Sequence, residues 1–217
     1  MPESESMMHT FADYAPRGGA QVAGLVRDNP FAAVISTGHG VPVATHVPVI
    51  IPPSEQLAAG GVLWGHMARA NPQWQTFDPA RPVLLIFTGA HAYVSPAHYQ
   101  REPSVPTWNY SAVHVTALPR LLPQGEATMQ VLTQTVQAVE ARCGTRWDMR
   151  ASLDRFHHIA GGVVAFSLRI TAVQAVFKLS QDLPDELWQR VHDGLAAGPA
   201  SAQCAYDMTA ARPSQAT

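Results

Sequence analysis

The chain has 217 residues, with 14 Lys+Arg against 16 Asp+Glu, a formal charge of -2 and only 14% charged residues. That length supports a sizeable core without disulfide staples, and the sparse, unclustered positive charge argues against a nucleic-acid partner, whose phosphates need concentrated Lys/Arg. Cys143 and Cys204 belong to no CxxC or metal-spaced cluster, the acidic opening MPESESMMHTFADY lacks a signal-peptide pattern, and no apolar run reaches the ~20 residues of a membrane span, so the expectation is a reduced, cytoplasmic protein with no membrane partner.

In chain order, apolar residues at helical spacing from Gly18 to Arg27 predict a first helix that Asp28-Asn29-Pro30 ends. FAAVIST (31–37) and VPVATHVPVII (41–51) read as a strand pair around a Gly-His-Gly turn, with Pro42 and Pro48 placing the second strand at an edge or a bulge. VLWGHM (62–67) is a third strand, ARANPQWQTFDPARP a turn or short helix, and VLLIFTG (83–89) a fourth strand that HAYVSP (91–96) extends or follows. PSVPTWNY reads as a proline-ruled loop and SAVHVTALPRLL as the next strand. Residues 125–142 form the clearest helix, and WDMRASLDRFHHI predicts another. After the break at Gly161-Gly162 the chain returns to strand character through KLSQ, and LPDELWQRVHDGLAAG is a final amphipathic helix. Successive antiparallel strands with few helices point to an α+β fold built on a barrel. The expected layout is one domain over 1–198 and a flexible tail over 199–217.

No HExxH, GxGxxG after a strand, P-loop or GxSxG elbow is present. What stands out is a set of polar residues at strand ends, several beside tryptophans: Thr45-His46, His66, Asn71 to Trp74, Thr107 to Tyr110, His114, and Lys178 to Gln181. Buried polar groups need partners, so such a set describes a pocket for a flat ligand with polar edges. The basic residues are 13 arginines and one lysine, Lys178. Arginine cannot lose its proton in a protein, whereas a desolvated lysine can.

The ordered blocks ATHVP, GHMARANPQW, HAYVSPAHY, VPTWNY and KLSQ, spread from about Phe31 to Asp182, resemble the PaiB-like, FMN-binding split-barrel family of negative transcriptional regulators. The resemblance implies a six-stranded antiparallel split barrel with peripheral helices, a homodimer, and a planar cofactor at the subunit interface. The family includes piperazate synthases, which bind haem b and close an N–N bond in N5-hydroxy-L-ornithine to give L-piperazate for natural-product biosynthesis. FMN carries a phosphate that wants Arg or Lys, yet Asp28 to Ala68 contains neither. Haem b asks for one neutral imidazole, apolar walls and a cation near its propionates, which His66 can meet with Trp64, Met67 and Arg69 nearby. On this resemblance His66 is the expected iron ligand; Arg69, Asn71, Trp74 and Trp108 line the cofactor; Thr45, His46 and Asn109 shape the pocket for an amino-acid substrate; and Lys178 moves the proton. Two other readings stand beside it: an FMN-binding oxidoreductase with Lys178 and Thr45 near the flavin ring, and a cofactor-binding regulator without catalysis.

Overall fold

Six strands account for the apolar alternation: β1 (Phe31–Thr37), β2 (Pro42–Ile50), β3 (Val62–Ala68), β4 (Val83–Val94), β5 (Thr107–Leu121) and β6 (Val163–Lys178). In the computed structural model, which describes residue 8 and residues 10–38, 40–145 and 147–212, they close into a barrel in the order β1-β2-β3-β6-β5-β4. The expected six-stranded antiparallel barrel with peripheral helices is the observed fold. The helices are α1 (Gly19–Asp28), α2 (Pro96–Tyr99), α3 (Glu126–Cys143), α4 (Leu153–Ile159), α5 (Asp185–Ala196) and α6 (Ala202–Ala211). The turn expected at 38–40 includes position 39, which lies outside the described residues.

The chain divides into two compact units, each assembled from separated stretches: Gly18–Phe87 with Val113–Gln174, and the described residues of 1–17 with Thr88–Ala112 and those of 175–217. Because β4, β5 and β6 run on from one unit into the other, no linker composition marks the division in the sequence.

In the first unit, period-two alternation selects the interior. Ala32 and Val34 of β1, Leu63 and Met67 of β3, Leu85 and Phe87 of β4, Val113 and Val115 of β5, and Phe166 and Leu168 of β6 are all within a few per cent of fully buried. Helix α3 packs across β2 and β3, and its Met129 and Leu132 form an outer cluster with Ala160, Phe156 and Val163. The two prolines of β2 sit opposite Thr37 and Phe31 of β1, whereas β2 meets β3 only at Val49↔Gly65 and Ile50↔Trp64. Pro42 and Pro48 therefore fall where β2 has no β3 partner, as their missing N–H groups require.

Two local readings change. Residues 107–110 belong to β5 rather than to a loop: the prolines end at Pro106, and Thr, Trp and Tyr favour extended backbone. The segment expected as a flexible tail contains α6, whose Cys204, Ala205 and Met208 are buried while α5 packs against it. A small-residue composition hid that apolar face; 213–217 lie outside the described residues.

Candidate functional site

In the first unit, alternation along β3 turns Leu63, Gly65 and Met67 into the barrel and leaves Trp64 and His66 on the outer face. His66 lies opposite Ala165 of β6. Burial alone holds its imidazole below the usual histidine range, so the neutral form persists at physiological pH, and Nδ1 is buried with no hydrogen-bond partner among the described residues. A sealed, partnerless ring nitrogen is costly in a core, and a neutral imidazole is the form that binds a metal. Neutrality is what a metal-binding imidazole requires, whereas the sealed Nδ1 offers no open coordination position of its own, a state it shares with His98 Nδ1. Met67, expected beside the same ligand, instead points to the opposite face of the strand and is 3% exposed.

Gly65 is required where it stands. A Cβ there would lie 2.5 and 2.7 Å from ring carbons of Phe166, and that ring is itself fixed edge-on against Phe77 at 5.1 Å. Gly65→Ala is expected to lose about 1–3 kcal/mol by overpacking, read as a lower urea midpoint at unchanged slope; an unchanged midpoint would mean that Phe166 swings aside freely. The buried His66 adds a pH dependence. Its folded pKa lies below its unfolded value of 6.5, so the unfolded chain binds more protons and stability falls as pH drops below about 6.5. His66→Leu is expected to flatten that slope between pH 7 and 5, measured by denaturant melts at each pH.

The block after β3 is mostly occupied with its own architecture. Asn71 caps the 3-10 turn Pro72–Thr76 by accepting from Gln73 N at 2.9 Å, while its Nδ2 donates to Thr45 Oγ1 at 2.9 Å. Gln73, 1% exposed, donates through Nε2 to Val34 O, Val43 O and Ser36 Oγ and so ties β1 to β2. Trp74 Nε1 donates to Arg69 O, and Arg69 donates through Nε and Nη2 to Gly161 O and Val163 O. The structure thus brings Thr45, Asn71, Trp74 and Arg69 together. His46, next to Thr45, projects to the other face, exposed and 5.8 Å from the Phe31 ring. Adjacent strand residues cannot share one pocket wall, so Thr45 and His46 do not jointly shape a site.

In the second unit the same parity separates Trp108 from Asn109. Trp108 is 53% exposed and packs with Tyr93 and His91. Asn109 is fully buried, and its amide is consumed within the protein: Nδ2 donates to Ser180 Oγ at 2.8 Å and to Met208 Sδ at 3.4 Å, and Ser180 Oγ donates back to Oδ1 at 3.0 Å. Asn109, expected to touch substrate, therefore holds the KLSQ turn, whose Ser180 adopts a left-handed φ of 60°. Lys178, at the end of β6, is half-buried and donates from Nζ to Thr107 Oγ1. Tyr14, Asp182 and Tyr99 form the polar surroundings that the sequence does not announce. Tyr14 donates to Asp182 Oδ2 at 3.1 Å, and burial followed by the carboxylate pushes its hydroxyl up to about 12. Burial and Asp182 also raise Tyr99. Among the described residues no cluster of three or more His, Cys, Asp or Glu could hold a metal ion, and no helix is long and apolar enough to cross a membrane.

Comparison with known proteins places these blocks in context. A family model described as "Putative FMN-binding domain" matches residues 8–172. Protease synthase and sporulation protein PAI 2 of Bacillus subtilis is 34% identical over 163 residues, covering 75% of this chain and 76% of its own. Among solved structures, the flavocytochrome Anf3 from Azotobacter vinelandii matches with a TM-score of 0.56 at 13% identity, over 81% of this chain and 74% of that one. The FAD and haem binding protein from Mycobacterium smegmatis matches with a TM-score of 0.53 at 14% identity, over 82% and 79%. The two structural likenesses speak for the fold. The family match and the Bacillus relative, each spanning most of the chain, go further: this protein belongs to the PaiB-like, FMN-binding split-barrel family.

Proposed function

We propose that this protein binds haem b, with His66 as the axial ligand. The observation that carries the reading is the imidazole on β3, kept neutral by burial, whose Nδ1 has no hydrogen-bond partner among the described residues. A second observation favours haem over FMN: no Lys or Arg occurs from Asp28 to Ala68, which covers β1, β2 and β3, so those strands offer a flavin phosphate no cationic side chain. Arg69 uses two of its N–H groups on backbone carbonyls, and the remaining donors of its guanidinium are the ones available for a propionate. Bound haem would supply an iron centre able to accept an electron pair from substrate.

The resemblance to the piperazate synthases extends the proposal to a reaction. In N5-hydroxy-L-ornithine the α-amine nitrogen bonds to N5, the N5–O bond breaks, and the hydroxyl leaves as water with a proton taken from the α-amine; no external oxidant enters. Lys178 is the residue assigned to carry that proton, since positioned acid–base groups contribute roughly 10²–10⁴-fold. The proposal includes a homodimer with the group at its interface, for which exposed Trp108 and Tyr93 supply an aromatic surface. The second reading, an FMN-binding protein, is favoured by the matched family's own description. The Azotobacter and Mycobacterium proteins, named for flavin and haem, indicate that this fold admits either.

The absorption spectrum of protein purified after haem supplementation tests the choice. An intense Soret band of histidine-ligated haem, in a dimer by light scattering, is the expected result. Two weaker flavin bands and no Soret band would replace haem by FMN, and a colourless protein would leave the regulator reading.

A further inference from the structure

Lys178 is the chain's single lysine, and three second-unit groups meet it or one another in series. Its Nζ donates to Thr107 Oγ1 and stands 5.7 Å from the centroid of the Tyr14 ring. That ring is held in turn from its far end, because the Tyr14 hydroxyl donates to Asp182 Oδ2 at 3.1 Å. The proton is committed to the carboxylate, so Tyr14 is a neutral phenol throughout the working pH range and presents an unionised aromatic face. Asp182 is held by the turn that carries it. Ser180 adopts its left-handed backbone under the two-way bond with Asn109, and Leu179 N donates to Gln181 Oε1 at 2.7 Å. A lysine on an open surface samples many rotamers; here contacts converge on the amine from a hydroxyl and from a ring that is itself tethered.

We propose that Tyr14 and Asp182 are positioning residues for Lys178: Asp182 fixes the Tyr14 ring, and the ring with Thr107 fixes the amine. The importance of that amine for turnover rests on the proposed function; its positioning does not. Tyr14 and Asp182 lie 168 residues apart in sequence, so the fold alone unites them.

The lone lysine makes the test clean, because a lysine-directed acylating reagent reports one side chain, separated from any α-amine by peptide mass spectrometry. On the full-length protein at fixed pH, Asp182→Ala and Tyr14→Phe are each expected to raise the Lys178 acylation rate several-fold. Both break the same bond, so the double variant is expected to react no faster than either single one. Tyr14→Leu, which removes the ring as well, is expected to be the fastest. Rates within twofold of wild type in folded Tyr14→Leu overturn the proposal. Should that variant not fold, additive rate increases in the Tyr14→Phe and Asp182→Ala pair, or none at all, overturn it equally. The labelling needs neither substrate nor haem, so its outcome is separate from that of the spectrum and of turnover.

Discussion

His66→Ala is expected to leave the barrel folded and to abolish haem binding. The expectation follows from the face on which the residue lies. Leu63, Gly65 and Met67 make the inward contacts of β3, while His66 projects outward, so truncation leaves the interior packing intact. It also removes a buried nitrogen that has no partner among the described residues, a group whose loss costs little or even stabilises. For haem the same change removes the only imidazole on β3. Removing a group that merely orients a ligand costs ~10–100-fold in affinity, so losing the ligand itself should exceed ~100-fold. Haem titration followed by absorbance measures this, with a urea melt confirming that the fold survives. Partial recovery of the Soret band on adding free imidazole would show that the loss of the ligand, and not of the fold, was responsible. A variant that binds haem with an unchanged spectrum would exclude His66 as ligand.

Lys178→Arg is the second large effect. Arginine keeps the positive charge and can still donate to Thr107 Oγ1, so haem loading and melting temperature are expected to stay close to wild type. It cannot release a proton, and product formation from N5-hydroxy-L-ornithine is expected to fall by roughly 10²–10⁴-fold, the usual contribution of a positioned acid–base group. Single-turnover mass spectrometry of L-piperazate reads the loss. Near-normal turnover would remove the lysine from the mechanism, and absence of turnover in the haem-loaded wild type would remove the reaction while leaving haem binding in place.

Much of the barrel is legible in sequence because its strands obey a period of two. FAAVIST and VLWGHM alternate as their burial does, and Pro42 and Pro48 mark the part of β2 without a β3 partner, although β2 is an inner strand of the closed barrel rather than an edge. Legibility fails where composition and geometry part. The prolines at 103 and 106 disguise the start of β5, and the small residues after Pro199 conceal the inward face of α6. His66 is visible from its place at the end of an apolar run, and Lys178 from being alone. Tyr14 and Asp182 are not visible, since a contact across 168 residues leaves no local pattern. The residues chosen in adjacent pairs, Thr45 with His46 and Trp108 with Asn109, fare worst, because a strand sends neighbours to opposite sides. Asn71 and Gln73 carry a different lesson: their prominence in the block reflects hydrogen bonds that shape the turn and the hairpin.

The prolines of β2 have one more consequence. Between positions 42 and 48 the only strand paired with this one is β1, and apart from Val43 O, which accepts from Gln73 Nε2, its other margin has no strand partner; an unpaired margin of this kind is what foreign strands seize when chains polymerise into fibres. Here the row of N–H groups is interrupted at two places. Self-association of this protein is thereby steered away from sheet extension and toward contacts made by side chains, a built-in protection for a chain whose other surfaces carry exposed Phe31, Tyr93 and Trp108.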